Sequence, residues 1–213
     1  MTLTDPLTGM SILLTRPAKQ SAGIAAAISA AGGNVCHLPL LEIEPITQAE
    51  DIAHVKARIM NLDRYEIAIF ISTNAAALGI EWIERYWPQL PTGLAAFAVG
   101  PGTAAVLRQL PWQVYCSDHG VTSEDLLALP QLNDIHGKRV ALFRGQGGRQ
   151  LLAETLRKRG AEVEYLELYR RRTPDYTENT IGALIERGGV RGERQKPGPD
   201  QHHQAQSDRG SGQ

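Results

Sequence analysis

The chain has 213 residues, of which 42% are hydrophobic, and its formal net charge at pH 7 is −1. This length and apolar content suit one large globular domain or two small ones. A charge so close to zero excludes the overall positive field that nucleic-acid-binding proteins usually carry, so local groups must meet any anionic ligand.

The first 46 residues are predicted to form a strand, a helix and an extended segment. Residues 11–15, SILLT, are a short apolar run typical of a strand. Ile24 and Ile28 then recur at helical spacing before a pair of glycines ends the pattern. Residues 34–46 follow as an extended segment whose prolines favour an edge or a linker.

Residues 52–160 alternate between helical and strand patterns. Helices are predicted at 52–60, 74–87, 102–110, 123–132 and 149–160, and strands at 66–72, 94–100, 113–117 and 139–145. Such alternation is typical of a parallel sheet with helices on both faces, which makes this an α/β protein. A second extended segment covers 162–174, and one more helix begins near residue 177.

The two extended segments predict how the chain divides into domains. Residues 39–173 are expected to form an inner α/β domain together with connector strands. Residues 1–38 and 174–188 are expected to form an outer α/β domain that is incomplete, since so few elements cannot cover a sheet on both faces. Residues 189–213 contain only Val190 and Ala205 as apolar residues, which predicts a disordered tail.

The loops after four predicted strands share a composition suited to anions. In open α/β sheets, ligands bind beyond the carboxyl ends of the strands, where hydroxyls, glycines and the amides of helix N-termini can hold negative groups. The candidate ligand-binding residues are Thr15 and Arg16, Ser72 and Asn74, Gly100 and Thr103, and Arg144, Gly145 and Gly147. The alternative is that Ser72, Asn74 and Thr103 only cap helices.

Other common sites are excluded by the sequence. It has no phosphate-binding G-x-x-x-x-G-K-[ST] motif, no G-x-G-x-x-G in a β-α-β unit and no G-x-S-x-G elbow. Cys36, Cys116 and the histidines lack the spacing of metal ligands, so no metal site is expected. With no signal-peptide pattern and no apolar run of about 18 residues, a cytoplasmic location without membrane contact is expected.

Tyr169 is the candidate catalytic side chain. It lies in the second extended segment, where the two predicted domains should face each other, and a phenol there can donate a proton to a leaving hydroxyl. The alternative is that this tyrosine packs with its hydroxyl at the rim of the fold.

The sequence also resembles a known family. The segments ILLTRPAKQSAGIAAAISAAGGNVCHLPLLEIEP, FISTNAAA, AVGPGTAAVL and LFRGQGGRQLLAETLRKRGAEVEYLELYRR, in this order, are similar to uroporphyrinogen-III synthases. The resemblance covers about residues 11–188. It implies two flavodoxin-like parallel-sheet domains joined by a two-stranded connector, a lyase that needs no cofactor, and a monomer.

The resemblance also implies a reaction. The family's substrate, hydroxymethylbilane, is a linear tetrapyrrole with eight carboxylates. It loses its terminal hydroxyl as water, and the resulting azafulvene cation cyclises through a spiro intermediate that inverts the last ring. By motif, Tyr169 matches the tyrosine proposed to assist hydroxyl departure, whereas Ser72, Thr103, Thr15 and Arg16 match substrate-binding loops.

Two alternatives remain open at this level. The chain could be a non-catalytic module that binds a tetrapyrrole or another polyanion through the inner loops. It could also be an inactive, frameshifted form, because its composition changes abruptly after Gly188 and the family's remaining outer-domain elements are not found there.

Overall fold

A computed structural model gives the fold of the protein. It describes residues 5–118, 120–148 and 150–188. The tail for which disorder is predicted, residues 189–213, lies outside the described residues.

The chain divides into two compact units. Within the described residues, the smaller unit consists of 5–13, 24–36 and 176–188, and the larger one of 14–23 and 37–175. The predicted strand and helix at the start are confirmed as β1 (Ser11–Leu14) and α1 (Ala18–Ala30). The first part of the extended segment is β2 (Asn34–His37), which pairs with β1 in a two-stranded sheet.

The larger unit is built on a six-stranded sheet. Its strands are β3 (Glu42–Pro45), β4 (Ile67–Phe70), β5 (Ala95–Ala98), β6 (Val114–Cys116), β7 (Arg139–Gly145) and β8 (Glu162–Arg172). They lie in the order β3-β8-β7-β4-β5-β6. The predicted α/β architecture is therefore confirmed.

The sheet is mixed, which corrects the expectation of a wholly parallel sheet. Five strands are parallel, but β3 pairs antiparallel with the end of β8, so that Glu42 lies opposite Arg172 and Pro45 opposite Tyr169. The physical reason is that β8 is one long strand. Its first part continues the parallel ladder beside β7, and its last residues extend beyond that ladder to pair with β3.

The order of the five parallel strands places a ligand-binding position. From β4 the chain proceeds outward to β5 and β6, then returns to the other side of β4 as β7 and β8. If the five parallel strands are numbered 1 to 5 along the chain from β4, their order across the sheet from β6 to β8 is 3-2-1-4-5. This differs from the flavodoxin order implied by the resemblance, which is 2-1-3-4-5. The order reverses between β4 and β7, and open α/β sheets bind ligands beyond the carboxyl ends of the strands at such a point.

Apolar cores cover both faces of the sheet. Side chains alternate along each strand, so Phe70 and Phe143 face one core while Ile69 and Leu142 face the other. The first core is completed by helices α2 (Ala49–Ile59), α3 (Thr73–Tyr86) and α4 (Pro101–Leu107), and the second by α5 (Ser123–Leu127) and α6 (Leu151–Lys158). Helices on both faces were predicted, and they are confirmed.

Two further helical features lie in the second half of the chain. The helix predicted over 123–132 is broken into α5 and a 3₁₀ turn at Pro130–Leu132, since Pro130 has no N–H to continue an α-helix. Helix α7 (Glu178–Gly188) ends the described chain. Among the described residues, no helix is long and apolar enough to cross a membrane.

Candidate active site

Ser72 and Tyr169 meet at the point where the strand order reverses. Ser72 follows β4 and precedes α3, while Tyr169 lies in β8, and their hydroxyl oxygens are 3.0 Å apart. Tyr169 is only 1% exposed, whereas Ser72 is partly exposed. The two hydroxyls therefore form a hydrogen-bonded pair whose open side is the serine.

Ser72 is also the N-cap of α3. Its backbone is extended, and its Oγ accepts a hydrogen bond from the Ala75 N–H at 3.1 Å. This satisfies one of the free amides in the first helical turn and places the hydroxyl where the helix dipole contributes partial positive charge. Ser72 therefore caps a helix, and its hydroxyl also contacts Tyr169.

Gly145, at the end of β7, provides the surface on which the Tyr169 ring lies. A Cβ at position 145 would be 2.5 Å from Cε2 and 2.7 Å from Cζ of that ring, which is far inside ordinary carbon–carbon contact. The β7–β8 register shifts at this point, so Gly145 pairs with Tyr169. The Gln146 N–H then donates to the Tyr169 carbonyl at 2.6 Å. Only a glycine allows the ring to pack so closely against β7.

Arg144 lies on the opposite face of the sheet from Tyr169. Its side chain is almost fully buried; its Nε donates to the Gly145 carbonyl at 3.0 Å and lies 3.8 Å from Glu167 Oε1. The guanidinium also stacks over the Tyr165 ring at 4.9 Å. Arg144 is therefore held in place by the fold, with its charge partly balanced by a carboxylate.

A cavity of about 290 Å³ adjoins Arg144. Its lining includes Arg144, Gly147, Gly148 and Arg171. Gly147 and Gly148 have φ values of 70° and 91°, which lets the loop after β7 turn beside the cavity. Arg171 also lies over the Tyr169 ring at 5.8 Å, so one arginine borders both the cavity and the hydroxyl pair.

Gly100 and Thr103 begin α4, after β5. Gly100 has φ 88° and ψ 156°, a conformation essentially reserved for glycine. Thr103 lies in the first turn, but its side chain is only 3% exposed. A Cβ on Gly102 would lie 3.5 Å from Thr73 Cγ2, so the N-termini of α3 and α4 are neighbours. Gly100 and Thr103 are both buried, whereas Gly102 between them is exposed.

Thr15 and Arg16 follow β1, and both are exposed. The Arg16 carbonyl accepts from Ser21 Oγ at 3.2 Å and contacts His37 Nε2 at 2.9 Å. Asn74 lies elsewhere, in the first turn of α3, where its Oδ1 accepts a hydrogen bond from Gln20 Nε2 at 3.2 Å.

A groove of about 450 Å³ runs beside Asn74, and all the residues that line it belong to the larger unit. Its lining includes Lys19, Gln20, Ile43 and Leu78.

Shifted pKa values occur toward the other ends of the strands. Tyr65 and Arg139 both donate hydrogen bonds to Glu164, at 2.8 and 3.1 Å. Burial alone would raise the pKa of Glu164, but these hydrogen bonds and the charge of Arg58 outweigh it and lower that pKa. Burial and the bond to Glu164 raise the pKa of Tyr65. Because ligands bind at the carboxyl ends, we assign this cluster to stability.

The sequence did not single out Arg171 from its neighbours, and it did not predict the contact that Gln20 makes. Arg171 is one of three consecutive arginines, and the alternation of side chains along a strand does not tell which of the three lies beside the Tyr169 ring. Gln20 lies in α1, and the helical pattern there does not predict its hydrogen bond to Asn74. The closeness of Ser72 to Tyr169, 97 positions later in the chain, also required the fold.

Comparisons with known proteins agree with the fold. Residues 22–192 match the sequence model of the family described as uroporphyrinogen-III synthase HemD. The uroporphyrinogen-III synthase of Proteus mirabilis is 36% identical over 171 residues, covering 78% of this chain and 83% of the relative. That of Escherichia coli (strain K12) is 36% identical over 167 residues, covering 76% of this chain but 65% of the relative.

A solved structure shows the same fold. The crystal structure of a mutant uroporphyrinogen III synthase from the extremely thermophilic bacterium Thermus thermophilus superposes with a TM-score of 0.56 at 19% identity, covering 78% of this chain and 64% of that one. The chain thus spans less than two thirds of the Escherichia coli relative and of this structure.

Proposed function

Because the chain belongs to the uroporphyrinogen-III synthase family, we propose that it is a cyclising lyase of tetrapyrrole biosynthesis. It converts hydroxymethylbilane into the macrocycle with loss of water and inversion of the terminal ring. The observation that carries this proposal is the Ser72–Tyr169 hydroxyl pair, because the reaction begins with departure of a hydroxyl and the pair lies at the sheet edge where ligands bind.

The first chemical requirement is a proton for the departing oxygen. A hydroxyl group leaves as water far more readily than as hydroxide, so a positioned O–H donor lowers the barrier, and such acid catalysis contributes about 10²- to 10⁴-fold. Tyr169 and Ser72 are the hydroxyls proposed for this task. Their oxygens are 3.0 Å apart, and the tyrosine ring is fixed against Gly145.

The second requirement is to hold one folded conformation of a polyanion. The substrate cyclises without help, but without inversion, so selectivity depends on how the chain is held. Backbone amides beside Gly100 and Gly147, the polar groups of Thr15, Asn74 and Thr103, and the cations Arg16 and Arg144 are the proposed carboxylate-binding groups. Arg144 acts through its charge at the wall of the cavity.

The same family membership supports the finer organisation. We propose that 39–173 form the inner domain, that 1–38 and 174–188 belong to an outer domain, and that the antiparallel β3–β8 pair is part of a two-stranded connector. The enzyme is proposed to work without a cofactor, because the reaction involves no net oxidation or reduction. A monomeric state and a cytoplasmic location are proposed from the family resemblance alone.

The test is the isomer composition of the product. The purified chain is incubated with hydroxymethylbilane, the products are oxidised to porphyrins, and the I and III isomers are separated by chromatography. The proposal predicts mainly the III isomer. A mixture identical to that formed without protein would overturn it, and binding of the substrate without isomer selectivity would instead indicate a non-catalytic module.

A further inference from the structure

We propose that Ser72, rather than Tyr169, is the residue that contacts the departing hydroxyl of the substrate, and that Tyr169 is a positioning residue acting through Ser72. This inference rests on the proposed function and assigns which of the two hydroxyls contacts the substrate and which acts behind it. It follows from burial, from the hydrogen bonds of the pair and from the packing of the tyrosine ring.

Burial sets the order of the two groups. Tyr169 is 1% exposed, its ring packs closely against Gly145, and the Arg171 guanidinium lies 5.8 Å from the ring centre. Ser72 is partly exposed at the start of α3. A substrate oxygen approaching the carboxyl edge of the sheet therefore meets the serine first.

The hydrogen bonds of Ser72 determine where its proton points. A serine hydroxyl has one donor and two acceptor positions. The Ala75 N–H occupies one acceptor position at 3.1 Å. Among the described residues, Ser72 Oγ is the one hydrogen-bond partner recorded for the Tyr169 hydroxyl. A buried phenol loses free energy if its proton has no acceptor, so Tyr169 donates to Ser72 and fills the second position.

The remaining donor of Ser72 is thereby directed away from the protein. Both acceptor positions are filled, and among the described residues no acceptor is found for its own O–H, which therefore points toward the ligand side. Two incoming hydrogen bonds polarise this O–H, because hydrogen bonds in a chain strengthen one another. The partial positive charge at the N-terminus of α3 favours the same polarisation.

The proton passes from Tyr169 through Ser72 to the departing oxygen. The carbon–oxygen bond of the substrate breaks, its electron pair stays on the oxygen, and that oxygen takes the Ser72 proton and leaves as water. Ser72 Oγ takes the Tyr169 proton, which leaves a phenolate opposite the azafulvene cation. After the ring bond has formed, the proton lost by the terminal pyrrole carbon returns through Ser72 to the phenolate.

Four variants separate this order from direct contact by Tyr169. Ser72→Ala is expected to lower kcat by about 10²-fold or more with little change in KM, as for loss of an acid catalyst. Tyr169→Phe is expected to lower kcat by a factor similar to that of Ser72→Ala but no larger, because it removes the source of the proton that Ser72 passes on. The double variant is expected to match Ser72→Ala within about 2-fold, because Tyr169 has no route that bypasses Ser72. Ser72→Thr keeps the hydroxyl and is expected to restore most of the rate.

A matched control removes the effect of lost capping. Thr122 caps α5 in the same way, its Oγ1 accepting from the Asp125 N–H at 3.2 Å. Thr122→Ala therefore costs similar helix stability and is expected to leave kcat unchanged. If Tyr169→Phe lowers kcat more than Ser72→Ala does, or if the two losses add in the double variant, the proposed order is wrong.

A measurement without substrate separates this inference from the proposed function. The tyrosine Raman doublet near 850 and 830 wavenumbers distinguishes a donating phenol from an accepting one, and the difference between wild type and Tyr169→Phe isolates this ring from the other five tyrosines. We expect a donor signature that Ser72→Ala abolishes. An acceptor signature would overturn the inference even if the III isomer forms, and a donor signature with only the I isomer would overturn the function alone.

Discussion

Replacing Gly145 by alanine tests whether the Tyr169 ring is held as described. The added methyl carbon would lie 2.5 Å from Cε2 and 2.7 Å from Cζ of that ring. Ordinary carbon–carbon contacts are about 3.5–4.0 Å, so the ring has to move by about 1 Å. The hydroxyl is attached to Cζ and moves with it, and its 3.0 Å hydrogen bond to Ser72 then exceeds a bonding distance.

The expected cost combines two effects. Inserting a methyl group into a packed position costs about 1–3 kcal/mol, and loss of one hydrogen bond about 0.5–1.5 kcal/mol. We therefore expect the free energy of unfolding to fall by about 1.5–4.5 kcal/mol, a large part of the roughly 5–15 kcal/mol of a typical domain. Because the donor is displaced, the rate of III-isomer formation should fall at least as far as in Tyr169→Phe.

Urea denaturation and the initial rate are the two measurements. Gly23→Ala is the matched control, since no atom lies within 4 Å of its added Cβ and the residue is within α1. That variant should be neutral or slightly more stable, by up to about 1 kcal/mol, because alanine favours a helix. If Gly145→Ala is as stable and as active as wild type, the close packing of Tyr169 on β7 is refuted.

Two further changes test other parts of the fold. Gly79→Ala places a methyl carbon 2.8 Å from Phe70 Cε1 and 3.0 Å from Phe143 Cδ1, so it should destabilise the protein by about 1–3 kcal/mol in urea denaturation; an unchanged midpoint would contradict this packing. Glu164→Gln removes a carboxylate whose pKa is lowered from 4.5 by its partners. A carboxylate whose pKa is lowered by folding stabilises the folded state at pH values above its ordinary pKa, and this stabilisation is lost as the pH falls and the group is protonated. The free energy of unfolding of Glu164→Gln should therefore be lower than that of wild type at pH 7, and the difference should shrink between about pH 5 and pH 3. A difference that does not change with pH would contradict the stabilising role of Glu164.

Local patterns predicted the elements of the larger unit. Runs such as 66–72 and 139–145 contain enough apolar and β-branched residues to identify β4 and β7, and helical spacing identified α3 and α6. Pairing between strands is a different kind of information. That β8 continues past β7 to pair with β3 depends on contacts between residues about 125 positions apart, which no local period records.

The sequence predicted which loops contain the candidate site residues, but it did not predict the distances between these residues or their burial. Ser72 and Tyr169 were both candidates, yet which hydroxyl faces the ligand depends on burial. Arg144 was predicted to bind the ligand, and the structure adds its surroundings: it lies on the face of β7 opposite Tyr169, contacts Glu167 and Tyr165, and lines a cavity. Thr103 was likewise predicted to bind the ligand, and its burial in the first turn of α4, where the residue is 3% exposed, is not visible in the sequence.

The most direct test of the central claim is the initial rate of III-isomer formation from hydroxymethylbilane by wild type and by Ser72→Ala, with Ser72→Thr measured beside them. We predict that wild type forms mainly the III isomer, that Ser72→Ala forms it at least about 10²-fold more slowly, and that Ser72→Thr retains most of the rate. Equal rates for wild type and Ser72→Ala, or formation of the I isomer alone by wild type, would contradict it.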